Sequence, residues 1–407
     1  MSLLDKLSQR DSWESFYKYK SSLTGGSQFC KELRSFIDSE GYIPVCKGIK
    51  TGADFPLPRK SVISKQDTQK KRVVYTYPKA ENMVMKLLTY LLLRKYDGLF
   101  SAGLYSFRPN RTAKDAIRQL TRTPRINELY SYKADISNYF NSIPIEKLLP
   151  MLKEVLSDDD ELYAFLVRLL SEPRVIDGSS VIIEEKGIMA GTPLSAFYAD
   201  LYLMELDSCF AEKAIPYGRY SDDVILFADS EEKCREYADF LRSFIADRGL
   251  DINPKKESFN PPDEGWTFLG FSYKKGVIDI APASTDKMKN KMRRKARALQ
   301  RWKQRNELDG EKAALAFIRI FNSKLFECRE NSDLTWNKWF FSVINTDESL
   351  RSIDNYAQDC VRFLVSGRRT KSRFNVRYED IRRLGLRSLV YEYYAKIKKQ
   401  ATAEGIQ

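Results

Sequence analysis

Gly218-Arg219-Tyr220-Ser221-Asp222-Asp223-Val224-Ile225-Leu226-Phe227 places two adjacent carboxylates at the mouth of an apolar run. The run Val224–Phe227 reads as a strand buried on both faces. Adjacent acids at the end of such a strand are costly to bury unless a cation or solvent compensates them. Magnesium prefers oxygen ligands and commonly needs only one or two carboxylates beside substrate phosphates. The pair therefore points to a phosphoryl-transfer metal site. The plainer alternative is a solvated hairpin turn, and a distant partner carboxylate decides between them.

That partner lies upstream, in Tyr132-Lys133-Ala134-Asp135-Ile136-Ser137-Asn138-Tyr139-Phe140. Asp135 ends a second strand-like stretch, and Phe140 follows five residues later. A lone Asp before a turn is ordinarily a cap. Between the two acidic elements runs Lys186-Gly187-Ile188-Met189-Ala190-Gly191-Thr192-Pro193-Leu194-Ser195, which leads into an apolar pattern through Leu206. A glycine loop opening a helix lets backbone approach a base pair or a phosphate, or is simply an ordinary helix start with Pro in the first turn.

Taken in order, Asp135…Phe140, then Gly191-x-Pro-Leu-Ser195, then Tyr220-Ser-Asp-Asp223 resembles motifs A, B and C of reverse transcriptases. Val62-Ile-Ser-Lys65 with Lys70-Lys-Arg72 resembles the basic fingers motif, and Ser106-Phe-Arg108-Pro-Asn-Arg111 the fingers–palm motif of group II intron enzymes. Gly249-Leu-Asp-Ile-Asn-Pro-Lys-Lys256 resembles motif D, and Phe268-Leu-Gly270-Phe271 the primer grip, motif E. The resemblance runs from about Thr51 to about Tyr273 with the motifs in sequence.

It implies roles residue by residue. Asp135, Asp222 and Asp223 are expected to be the catalytic carboxylates holding two Mg²⁺ ions, for which Mn²⁺ can substitute. Lys256 is expected to be the general acid that protonates pyrophosphate. Lys65, Arg72, Phe140 and Gly191 are expected around the incoming nucleotide, with Phe140 excluding the ribose 2′-hydroxyl. Arg108, Tyr220, Phe268, Gly270, Lys291, Arg294 and Arg297 are expected along the template–primer. One departure stands out: Ala190 occupies the place where the family usually carries Gln beside the nascent base pair. Asp200 stands where group II enzymes usually have Asn.

The chain has 407 residues and a formal net charge of +13. That excess lies entirely in residues 281–407. There Met288, Met292, Ala296 and Leu299 share one helical face, and Lys287, Lys291, Arg294, Arg297, Arg301 and Arg305 cover much of the rest. A basic helix at this point suits phosphate contact with steep salt dependence. No run is long and uncharged enough to span a membrane, and Met-Ser-Leu-Leu-Asp5 does not read as a signal peptide. The six cysteines form no C-x-x-C pair, which fits reduced thiols in the cytoplasm.

The expected fold is α+β, a right-hand polymerase: an N-terminal helical extension at 1–50, fingers and palm at 51–280 with a ferredoxin-like antiparallel sheet, and a basic all-helical thumb at 281–407. Helices are expected near 12–20, 28–39, 81–95, 111–121, 158–171, 193–210, 231–248 and 286–305. Strands are expected near 72–76, 130–135, 223–228 and 268–273, with a hairpin at or just after Asp177-Gly178. The acidic run Asp158–Glu161 reads as the first turn of a helix capped by Ser157, not as a metal site.

The sequence contains no histidine, so it holds no His-based nuclease motif of the HNH kind. It is most similar to the unknown-group or defence-associated reverse transcriptases of bacteria, the second type above all. That resemblance implies a structured noncoding RNA as template and scaffold, dNTP substrates, a cDNA product and a role in anti-phage immunity. Two alternatives stay open: an intron maturase that binds RNA for splicing, and an abortive-infection-type enzyme that makes DNA without a template. The oligomeric state is not legible.

Overall fold

The computed structural model describes residues 2–24, 28–64, 71–184, 187–327 and 335–403. By internal contacts the chain divides into two units, Met1–Glu264 and Gly265–Gln407. Among the described residues the first unit holds eight strands, β1 (Arg59–Ser64), β2 (Lys71–Thr76), β3 (Tyr130–Asp135), β4 (Arg174–Asp177), β5 (Ser180–Ile183), β6 (Tyr217–Tyr220), β7 (Asp223–Ala228) and β8 (Ser258–Asn260).

Four of them form the palm sheet, in the order β6-β7-β3-β8 with every neighbour antiparallel. Numbered along the palm, this is the order 2-3-1-4 of a split βαβ, ferredoxin-like sheet. Tyr132 and Ala134 on β3, and Val224 and Leu226 on β7, lie in one apolar core with helix Glu231–Asp247 and the motif B helix Ser195–Tyr202. The remaining strands make a second sheet, β2-β1-β4-β5. Its β4–β5 hairpin turns at Gly178-Ser179, just after the Asp-Gly pair, with Gly178 at φ 61°. Strand β1, which the sequence pattern does not announce, pairs along its whole length with β2.

The first fifty residues belong to the same core. Helices Leu3–Lys6, Arg10–Thr24 and Ile43–Lys50 pack on helix Lys79–Lys95. Trp13 is fully buried and stacks on Tyr42 at 4.9 Å. The acidic run does begin a helix, Asp160–Leu170, but the cap is Asp159 rather than Ser157. Asp159 accepts from the amide of Leu162 and, across the fold, from that of Leu3 at 2.7 Å. The helix expected over 193–210 breaks at Leu203 into Ser195–Tyr202 and Met204–Glu212.

The second unit opens with a three-stranded sheet: β9 (Trp266–Phe268), β10 (Phe271–Lys274) and β11 (Val277–Ile280). The single strand expected at 268–273 is therefore a hairpin. Leu269 and Gly270 both take positive φ, 51° and 86°, and reverse the chain. This sheet groups with the helices that follow it, whereas the sequence pattern places it with the palm. The core of the unit is built by helices Pro282–Arg305, Gly310–Phe326 and Glu348–Ser366. Met288, Met292, Ala296 and Leu299 are its buried stripe on the first of these. Among the described residues no helix is long and apolar enough to cross a membrane.

Candidate active site

The register of the palm sheet brings the acids together. Tyr220 pairs with Asp223, which makes Ser221-Asp222 the two-residue turn between β6 and β7. Ser221 takes the turn at φ 60°, a left-handed conformation that costs a non-glycine residue about 1 kcal/mol or more. On the other edge of β7, Asp223 pairs with Asp135. The ladder runs one step further, where the Ile136 amide donates to the Asp222 carbonyl at 2.9 Å. Residues directly opposed on antiparallel strands lie on one face, and like charges there repel. Asp135 is buried, and Asp222 and Asp223 are half-buried.

The electrostatics follow from this crowding. Burial, then the charges of Asp222 and Asp135, push the Asp223 carboxyl up to about 6. Burial also raises Asp222, with the charge of Asp135 adding to it and Lys256 and Arg72 opposing. Lys256 Nζ pairs with Asp135 Oδ2 at 2.5 Å. Among the described residues no group of three or more His, Cys, Asp or Glu side chains forms a ready-made metal site. The donors here still fit a hard divalent ion. They are all carboxylate oxygens, two of them unfavourably charged at neutral pH, and a cation relieves that cost.

Beneath the turn lies a group to which the sequence motifs assign no role. Arg219 is fully buried and forked onto Asp207, with Nε to Oδ1 at 2.8 Å and Nη2 to Oδ2 at 2.5 Å. The Tyr217 hydroxyl donates to the same carboxylate at 2.7 Å. Arg219 also donates from Nη1 to the Ser221 carbonyl at 3.3 Å and from Nη2 to the Asp200 carbonyl at 3.1 Å. One guanidinium thus ties the strained turn to the motif B helix. The Asp200 side chain is fully buried and accepts from Ser106 Oγ at 2.7 Å, and burial pushes its carboxyl up to about 8. The signal for Arg219 was its place beside Tyr220, where alternation points it to the covered face of the sheet.

The motif B loop is fixed against β2 and the motif A turn. The Ile188 amide donates to the Phe140 carbonyl at 2.8 Å, the Ala190 amide to Asn141 Oδ1 at 2.9 Å, and the Tyr75 amide to the Ala190 carbonyl at 2.8 Å. Gly191 sits at φ 99°, where a Cβ would come within 3.1 Å of the Tyr75 carbonyl oxygen. Phe140 is held edge-on between Tyr139 at 5.6 Å and Phe107 at 6.3 Å.

A family model described as "Reverse transcriptase (RNA-dependent DNA polymerase)" matches residues 63–273, just over half of the chain. The chain belongs to the reverse transcriptase family. Members of that family are RNA-directed DNA polymerases, and the matched span contains every palm element described above. A curated relative, the uncharacterized 91 kDa protein in cob intron of Schizosaccharomyces pombe, is 25% identical over 149 residues. The match takes in 37% of this chain and only 18% of that protein. Among solved structures, telomerase from Candida albicans in complex with a fragment of telomeric RNA is 13% identical, with a TM-score of 0.44 over 81% of this chain and 63% of that one. Apo telomerase from Candida tropicalis, truncated from its C-terminal domain, is 11% identical, with a TM-score of 0.46 over 55% of each chain.

The other expected site residues of this reverse transcriptase fall into three groups. Arg72 is exposed on β2 within electrostatic reach of Asp222, and Tyr220 is half-buried at the end of β6. Lys65 lies outside the described residues. Arg108, expected on template–primer, is instead a framework residue. It is buried and donates to Asp97 Oδ1 (2.7 Å) and to the carbonyls of Asp97, Ser101 and Leu104. Phe268 is likewise a core side chain of the second unit, only 1% exposed, so the Leu269-Gly270 turn, not the ring, is what motif E presents. Arg294 and Arg297 are exposed on helix Pro282–Arg305. Lys291 is half-buried there, and burial with the charge of Lys287 pulls its amine down.

Proposed function

We propose that the chain copies an associated structured RNA into cDNA by two-metal nucleotidyl transfer. The observation that carries this is the register that sets Asp135 opposite Asp223 with Asp222 at the turn between them. Asp135 and Asp222 would hold the ions, with Asp223 supporting. Bound there, divalent cations make the primer 3′-hydroxyl a better nucleophile and neutralise the leaving pyrophosphate. The chain's own groups do the rest. Lys256, paired with Asp135 in this structure, would be the proton donor to the leaving pyrophosphate. Arg72 clamps the triphosphate. The ring of Phe140, packed edge-on against Tyr139 and Phe107, would exclude a 2′-hydroxyl by sterics.

The finer reading, a bacterial defence enzyme of the second type working on its own noncoding RNA in the cytoplasm, is supported by the motif resemblance. Fingers and palm at 51–280 and a thumb at 281–407 belong to the same proposal. Template-independent synthesis is the second reading, and Ala190 favours it. Its amide and carbonyl are both taken by the framework, and its methyl group offers the nascent base pair no hydrogen bond.

The test is to purify the protein from its native locus and sequence the nucleic acid that comes with it. One RNA with complementary cDNA is the expected result. DNA unrelated to the RNA would favour untemplated synthesis. RNA without any cDNA would favour a maturase.

A further inference from the structure

The basic surface of the second unit does not end with helix Pro282–Arg305. Helix Glu348–Ser366 packs along it, and the short helix Lys371–Asn375 folds back against Glu348–Ser366. Between them opens a cleft of about 250 Å³, lined by Arg293, Tyr356, Asp359, Phe363, Arg369 and Arg373.

The cleft is built rather than incidental. Arg373 Nη1 donates to the Arg369 carbonyl at 2.8 Å, and its guanidinium lies over the Phe374 ring at 4.5 Å. Arg362 approaches the same ring from 5.4 Å and donates to the Val376 carbonyl at 3.2 Å. These contacts fix the returning loop. Asp359 is the one acid in the lining, and it is answered by Arg362 at 3.4 Å and Arg373 at 3.7 Å. Arg293 and Arg369 remain, both exposed, and among the described residues neither has a carboxylate partner. The Arg369 guanidinium lies over the Phe363 ring at 4.9 Å, forming a flat cationic platform. Tyr356 lies two turns before Phe363 on the same face of helix Glu348–Ser366, within electrostatic reach of Arg293 and Arg369.

Two cations without acids, set beside aromatic planes in a partly enclosed cleft, suit a phosphate joined to a flat base. We infer that this cleft binds one unpaired nucleotide of a single-stranded nucleic acid, with the base stacked on the Arg369–Phe363 platform and the flanking phosphate on Arg293. A duplex does not meet the requirement, because its bases are already stacked and face inward. The inference rests on the polymerase reading only for the presence of such a strand; the chemistry of the cleft stands on its own.

The test uses the full chain and fluorescein-labelled 12-mers, oligo(rU), oligo(dT) and a 12-base-pair duplex, read by anisotropy across a salt series. Arg293→Ala/Arg369→Ala, both exposed positions, is expected to weaken single-strand binding at least tenfold. It should flatten the slope of log K against log salt by roughly 0.7 for each phosphate that is no longer neutralised. Duplex binding and primer extension on a preformed poly(rA)/oligo(dT) substrate should stay within twofold. Phe363→Leu keeps the charges, and with an unchanged melting temperature should weaken single strands about fivefold or more while leaving the salt slope intact. Loss with oligo(rU) alone assigns the cleft to RNA, and equal loss with oligo(dT) assigns it to either strand. Equal loss on duplex, or no loss on single strands, overturns the inference. If the wild type makes no DNA yet the single-strand loss appears, the polymerase reading fails and the cleft stands.

Discussion

Asp223→Asn should stabilise the metal-free protein. The Asp223 carboxyl is raised from 3.8 to about 6 by burial and by the two neighbouring carboxylates. Each unit of difference between folded and unfolded states corresponds to about 1.4 kcal/mol, so the ionised group costs the fold at most about 3 kcal/mol. The sign is fixed by the direction of the shift. A carboxylate with a raised folded pKa opposes folding. The penalty is absent below about pH 3.8, grows as pH rises towards 6, and is complete above that. Asparagine removes it at every pH. For a unit of this size a kilocalorie moves the melting temperature by about 2–4 °C, so the variant should melt higher in EDTA at pH 7.5, by at most about 6–12 °C. The gap should nearly close at pH 4. Adding Mg²⁺ should raise the wild type more than the variant, because the ion relieves the same repulsion. The assay is thermal unfolding of both proteins across pH, with and without Mg²⁺. A variant less stable than wild type in EDTA at pH 7.5, or an equal Mg²⁺ response in both, would refute the reasoning.

Asp222→Ala should abolish synthesis while RNA binding stays nearly intact; a 10⁴-fold loss in rate corresponds to about 5.5 kcal/mol, and substantial residual extension would sink the metal assignment. Phe140→Ala should admit ribonucleotides, read as rNTP incorporation on a primed template, and unchanged sugar selectivity would mean that the ring does not face the sugar. Lys256→Ala leaves Asp135 without its ion pair, so half-maximal activity should need less Mg²⁺ even as the maximal rate falls; a raised Mg²⁺ requirement contradicts the competition between amine and metal. Asp200→Asn should preserve or raise stability at pH 7.5, since burial already holds that carboxyl at about 8 and the native acid is largely neutral there; a marked loss in the melting temperature would show that its charge is needed.

The palm was legible because its signals are local. An apolar stretch ends at Asp135 and another begins at Asp223, and the unbroken run Val224–Phe227 marks a strand covered on both faces, as the structure has it. What the sequence hid was mostly decided at a distance. β1 carries Arg59-Lys60-Ser61 at its start and has no hydrophobic period to announce it; it exists because β2 supplies a partner. The run Phe268–Tyr273 reads as one strand, and the reversal within it depends on two left-handed residues, only one of them glycine. In the acidic run any of several side chains could have capped the helix, and Asp159 is selected because it also meets the Leu3 amide. Arg108 shows the limit of motif reading. Its position in the pattern was recognised, but only the fold reveals that its donors turn inward to Asp97 and three carbonyls.

The lack of a ready-made three-acid metal cluster among the described residues is compatible with the catalytic assignment. A tight all-protein cage would suit a structural ion, whereas a polymerase needs oxygens left over for the triphosphate and the primer. The palm achieves this with an asymmetric arrangement. Asp135 is buried and already paired with a lysine amine, while Asp222 and Asp223 are half-buried and electrostatically uncomfortable. On the proposed two-metal reading, such a site would bind divalent cations most strongly when a nucleotide brings further oxygens. The turn cannot relieve its strain by moving away, because Arg219 grips the Ser221 carbonyl from below and is itself held by the fully buried Asp207. Truncating Arg219 would leave Asp207 a buried unpaired charge, which costs about 3–5 kcal/mol. The same guanidinium therefore stabilises the fold and maintains the carboxylates in a geometry they would not adopt unaided.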